Sequence, residues 1–170
     1  HHSNGEFRKL LVPLVSSYRY GGEDVDLSLA KSEAKLLHEK DCASDDFIRI
    51  VTTRSKPQLN ATLNQYNDLF QNDIIKELEG KEEEFVATVR EAMECLVRPV
   101  EYFEKAVREA VARRGTDEGA LTRVVATRVE VDMQLIKDEY LKRNSVPLHQ
   151  AIAKDTHGDY EKMLLTLIGQ

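Results

Sequence analysis

The sequence predicts an all-α protein, and three observations carry that prediction. Apolar residues recur at helical spacing almost throughout, no stretch alternates with period two for long enough to make a strand, and only eight Gly and four Pro punctuate 170 residues. The first helix is expected over residues 5 to 19, with Phe7, Leu10, Leu11 and Leu14 on one side. Leu27, Ala30, Ala34 and Leu37 form the next stripe, and Leu59, Leu63, Tyr66 and Phe70 another. Phe85, Val89, Ala92 and Leu96 follow. Val100, Phe103, Val107 and Ala110 come after Pro99, which suits a first helical turn because its missing N–H has no partner to lose there. Val129, Met133, Ile136 and Tyr140 make the next stripe, and Tyr160, Met163, Leu164, Leu167 and Ile168 close the chain. Helices of roughly 8 to 16 residues joined by short loops fit this punctuation.

Composition excludes several functions. Lys+Arg 24 against Asp+Glu 30 gives a net charge of −6, so no nucleic acid partner is expected, because a phosphate-backbone binder needs a basic face. The same balance opposes unaided attraction to an anionic membrane. No apolar run is long enough to span a bilayer. Cys42 and Cys95 make neither a disulfide framework nor a CxxC pair. Cys42, in a loop beside Lys40, is expected to be exposed, and Cys95, between Met93 and Leu96, to be buried and inert. The five His show no metal spacing: His38, His149 and His157 lie on separate elements. The leading His1-His2-Ser3-Asn4 is neither a secretory signal nor an initiator, so a longer parent chain is expected.

An internal repeat organises the rest. Gly5-Glu6-Phe7-Arg8-Lys9-Leu10-Leu11 matches Gly158-Asp159-Tyr160-Glu161-Lys162-Met163-Leu164. Arg49-Ile50-Val51-Thr52-Thr53-Arg54 matches Arg123-Val124-Val125-Ala126-Thr127-Arg128, and Tyr66 and Tyr140 keep the same 74-residue offset. The unit is thus about 70 residues. Three segments follow: residues 1–20, the last helix of an upstream unit; 26–97, one full unit; and 98–170, a second. Five helices are expected in the second unit, near 99–112, 117–127, 129–142, 147–153 and 159–168. The joint Arg113-Arg114-Gly115-Thr116-Asp117 is the informative one. Gly115 can take the left-handed conformation that ends a helix, and Thr116 or Asp117 can cap the next. Arg54 and Arg128 close their segments and are expected to tie carbonyls or carboxylates together within each unit.

These residues resemble the annexin family, whose repeat is a five-helix unit of similar length. Gly115-Thr116-Asp117-Glu118 is similar to the end of the family's G-x-G-T-D loop, Thr127-Arg128 to the end of its second helix, and Asp155-Thr156-His157-Gly158-Asp159-Tyr160 to its D-x-x-G-D-Y segment. The wording, Ile48-Arg49-Ile50 included, looks plant-type, and the order of segments looks like repeats III and IV behind the last helix of repeat II. The resemblance implies Ca2+ as the cofactor, held by the carbonyls of Val111, Arg113 and Gly115 and the carboxylate of Asp155, with a lesser site at Thr156 and Glu161. Arg113 departs from the pattern by standing where a glycine is usual. Ca2+ takes six to eight oxygens at about 2.3 to 2.6 Å. Carbonyls and one carboxylate fill only part of that shell, leaving room for a lipid phosphate. The ion then bridges two negative partners, and ion and membrane bind cooperatively.

The first full unit departs further. It has Lys40-Asp41-Cys42-Ala43-Ser44-Asp45-Asp46 at the joint, and Lys81 followed by Glu82-Glu83-Glu84 where the second unit has Asp155. No Ca2+ site is expected there. His2 occupies the matching position of the leading segment. The resemblance therefore implies calcium-dependent binding to anionic phospholipid membranes, without catalysis, by a cytoplasmic protein that becomes peripheral to membranes when calcium rises. Two alternatives belong to other classes. One is a weak nucleotide phosphatase or peroxidase, suggested by Asp155-x-x-Gly158 and the cysteines. The other is a calcium-independent scaffold for F-actin or another annexin, suggested by Ile48-Arg49-Ile50, for which a buried stripe with Arg49 outside is the plainer reading. Apolar surface uncovered by absent repeats would favour self-association.

Overall fold

The computed structural model describes residues 5–16, 19–112 and 115–169; within them there are eleven α-helices and no strand. They form two compact units that divide between Val97 and Arg98.

The first unit holds α1 (Gly5–Ser16), α2 (Leu27–Glu39), α3 (Asp45–Thr53), α4 (Lys56–Phe70), α5 (Ile74–Glu79) and α6 (Glu84–Val97). Caps set the boundaries. Asp26, Ser44, Ser55 and Asp73 each accept a backbone N–H of the following helix, satisfying one of the donors that a helix start leaves open. α2 and α4 pack along their lengths, and Gln58 clamps the backbone of Asp26 from both sides, accepting from its N–H at 2.8 Å and donating to its carbonyl at 2.9 Å. α1 lies on α3 and α6. Leu10 is fully buried and Phe7 meets Phe85 edge to face at 5.6 Å, whereas Leu11 faces outward at 45% exposure. Leu27 is exposed as well, so the stripe on α2 begins at Ala30. Glu33 supplies the polar member of that face, buried and bonded to Arg54 Nε at 2.8 Å. The α3 C-terminal carbonyls of Val51 and Arg54 are taken by Arg19. Ile48 and Ile50 are core residues, and Arg49 stands outside, 3.3 Å from Asp46.

The second unit holds α7 (Pro99–Ala112), α8 (Glu118–Arg128), α9 (Met133–Asn144), α10 (Leu148–Asp155) and α11 (Gly158–Leu167) around Val107, Leu121, Val125, Ile136, Ile152 and Leu164. One expected boundary is wrong. The helix foreseen at 129–142 starts only at Met133, and Val129–Asp132 is a turn. Val131 and Asp132 both donate their N–H to the Arg128 carbonyl, while Arg128 grips the Asp132 carboxylate through two bonds of 2.9 and 2.7 Å. Two β-branched valines, weak helix formers, sit inside that turn. Arg128 also lies over the Phe103 ring at 4.3 Å. Within the second unit, then, this arginine ties its partners to α7.

The cysteine expectations are reversed. Cys42 is buried at 4% exposure and Cys95 is half-buried. Cys42 sinks because its short loop lets it join the core between Leu37 and Phe47. Burial first, and the Asp41 charge second, push its thiol up from the usual range. Thiol labelling of the native protein should therefore give the same count for Cys42→Ser as for the unaltered chain, with the missing thiol visible only after unfolding.

Candidate functional site

The joint between α7 and α8 turns through two residues with left-handed backbone, Gly115 (φ +84°) and Thr116 (φ +37°). For Gly this is free of strain; for Thr it is uncommon and held by its surroundings. Thr116 is buried, and its hydroxyl has no hydrogen-bond partner among the described residues. Asp117 donates its N–H to the Ala110 carbonyl at 2.9 Å and caps α8 by accepting from Ala120 N at 2.9 Å. Asp117, not Thr116, is thus the cap. Val111 lies in the last turn of α7, where carbonyls run out of helical partners.

Asp155 is the last residue of α10 and is exposed. It does not cap α11: the N-cap position there is His157, and it makes no side-chain cap bond. The Asp155 carboxylate has no hydrogen-bond or ion-pair partner among the described residues. A cleft of about 640 Å³ is lined by Val111 from the end of α7, Gly115 from the turn and Asp155 from the end of α10. Three of the residues singled out in sequence therefore meet at one opening. Arg113 lies outside the described residues, as does His2. Thr156 and Glu161 do not line the cleft. Thr156 is buried and donates its hydroxyl to the Ile152 carbonyl at 2.6 Å, while Glu161 is half-buried in the first turn of α11. Among the described residues no three His, Cys, Asp or Glu side chains gather as a metal cluster, and a set built from carbonyls and one carboxylate is outside that pattern.

Sequence reasoning missed the floor of this cleft. Arg108, Asn144 and Tyr140 line it. Behind them lies Glu104, fully buried, accepting from Arg108 Nε at 3.2 Å and from Asn144 Nδ2 at 3.2 Å. Burial, helped by the Glu104 charge, raises the Tyr140 hydroxyl above its usual range. A signal was available: Glu104 falls on the same helical face as Val107 and Val111, where a charge demands a partner.

The first unit has a smaller cleft of about 170 Å³ at the matching place, lined by Leu37, Asp41, Cys42, Tyr66 and Lys81. Leu37 and Val111, Tyr66 and Tyr140, and Lys81 and Asp155 are each 74 residues apart. An ammonium thus stands where the second unit has its carboxylate, and Cys42 and Asp41 replace the left-handed turn. The Tyr66 hydroxyl, driven far up by burial and by its bond to Glu77, donates to that carboxylate at 2.7 Å.

The described residues thus form an all-helical protein in which a tight interhelical turn and an exposed carboxylate line the same cleft. The annexin family model matches residues 30–86 and 102–167, and the chain belongs to the annexin family. It is 61% identical to annexin Gh1 of Gossypium hirsutum over 174 aligned residues, covering 99% of this chain and 55% of that protein. To annexin D7 of Arabidopsis thaliana it is 55% identical, with the same coverage. The solved structure of annexin III matches with a TM-score of 0.89 at 31% identity, over 99% of this chain and 54% of that one. Calcium-bound annexin (Sm)1 matches in fold with a TM-score of 0.87 at 23% identity, over 99% and 51%. The chain spans about half the length of the curated relatives it matches. No helix among the described residues is long and apolar enough to cross a membrane.

Proposed function

We propose that the second unit binds Ca2+ at the Gly115 turn and Asp155, and through that ion attaches to anionic phospholipid headgroups. The observation that carries this reading is the exposed Asp155 carboxylate, without a protein partner among the described residues, in the same cleft as Val111 and Gly115. A carboxylate placed to cap a helix or close an ion pair would be engaged; this one is left to an outside cation. Ca2+ is the ion of choice because hard, irregularly placed oxygens suit it. The carbonyls of Val111, Arg113 and Gly115 would complete the protein's share, the ion would supply positive charge between two negative surfaces, and a lipid phosphate or water would fill the rest. Family membership supports the same reading, as does the calcium-bound state named for annexin (Sm)1.

In this proposal Thr156 and Glu161 form at most a lesser site, and the first unit, with Lys81 in the carboxylate's place, binds no Ca2+. Residues 26–97 and 98–170 act as two annexin repeats, III-like and IV-like, with residues 1–20 closing an upstream one. The chain works by binding, from the cytoplasm, as a peripheral membrane protein. Co-sedimentation with phosphatidylserine-containing vesicles tests it: protein should pellet with Ca2+ and return to the supernatant on chelation. Pelleting that ignores the chelator would overturn the reading.

A further inference from the structure

The cleft beside Asp155 also holds cationic side chains. Arg108 from α7 and Lys154 from α10 both line it, with Asn144 from the end of α9. Arg108 is anchored from behind: its Nε donates to Oε1 of the fully buried Glu104, which also holds Asn144. Arg143 Nε lies 3.8 Å from the other carboxylate oxygen. The anchor takes one edge of the guanidinium. Its two terminal nitrogens meet no protein acceptor among the described residues, and the side chain is 38% exposed. A guanidinium held this way is pre-oriented, so little side-chain freedom is lost when its free nitrogens bind a planar anion in two-pronged fashion. Of the charged side chains lining the cleft, two are cationic and one anionic. With a divalent cation on Asp155 the cleft becomes strongly positive, and its volume suits a small polar headgroup.

We propose that Arg108 is a specificity-determining residue: it receives a second anionic group of the bound headgroup, a carboxylate beside the phosphodiester that the cation bridges, with Lys154 adding charge. This rests on the calcium-and-lipid reading above. Co-sedimentation at graded Ca2+ tests it with two vesicle types, phosphatidylcholine mixed with equal fractions of either phosphatidylserine or phosphatidylglycerol. Each anionic lipid adds one net negative charge, and only the first offers a carboxylate. The unaltered chain should prefer phosphatidylserine about tenfold, the size expected of one charge-assisted contact. Arg108→Gln should bring that ratio to within about twofold while binding to phosphatidylglycerol persists. The Glu104→Gln/Arg108→Gln double variant, which leaves no unpaired buried charge, should do the same and guards against loss of fold. A ratio unchanged in both variants, or equal weakening on both lipids, overturns the assignment of Arg108 and leaves the calcium reading standing. Absence of calcium-dependent binding to either lipid by the unaltered chain overturns both.

Discussion

Asp155→Ala should raise the Ca2+ concentration needed for vesicle binding by about a hundredfold, equivalent to about 2.8 kcal/mol of binding free energy. The reason is charge count. Asp155 is the one carboxylate among the residues lining the cleft, and the other charged groups there, Arg108 and Lys154, repel a cation. Ca2+ affinity in oxygen sites is tuned by how many ligands carry charge and how rigidly they are held. Without Asp155 only neutral carbonyls remain. Asp155→Asn should behave almost as badly, since it keeps an oxygen but not the charge. Neither change should move the thermal midpoint by more than a degree or two, because the side chain is exposed and has no protein partner among the described residues. Unaltered calcium dependence in Asp155→Ala would refute the site.

Arg54→Met should cost about 3 kcal/mol of folding stability, at the lower end of what breaking a buried ion pair costs. Glu33 is 2% exposed and bonds Arg54 through Nε at 2.8 Å and Nη2 at 2.5 Å. Its second oxygen already lacks a hydrogen-bond partner among the described residues. Arg49, at 3.9 Å and 45% exposed, compensates only in part. The bond to Glu33 is also the chief cause that raises the Arg54 guanidinium above its usual range. Removing the arginine strands a carboxylate in the core. Glu33→Met/Arg54→Met should recover most of the loss, since an apolar pair of similar volume needs no solvation. Urea unfolding of the three chains measures both effects. A double variant as unstable as Arg54→Met would show that the cost lies in packing rather than in the unpaired charge.

Much of this architecture could be read from residue spacing, because amphipathic periodicity and side-chain caps are local. Gly115 in left-handed conformation follows from residue type alone, and a cap for α8 was legible at Thr116 or Asp117, with only the structure choosing Asp117. The likeness of Asp155-Thr156-His157-Gly158-Asp159-Tyr160 to the family's segment is what pointed to Asp155 as the turn's partner. What escaped depends on non-local partners. Glu104 holds Arg108, four residues on, and Asn144, forty residues on, through one buried oxygen, and the second partner is invisible to local spacing. The turn at Val129–Asp132 escaped because Val129 and Met133 continue a helical stripe, whereas the Arg128–Asp132 grip favours a tighter path. Cys42 was misplaced because a loop position does not reveal that its neighbours draw it into the core.

Lys81 lines the cleft of the first unit and Asp155 that of the second, at positions 74 residues apart. A framework that accepts either sign of charge at that corner cannot depend on a bound ion for its integrity. Small zinc modules, by contrast, lose their structure when stripped of metal. On the calcium reading proposed above, an ion at Asp155 would add stability by linkage without being needed to form the fold, so single substitutions at that corner could retune the response while leaving the molecule folded.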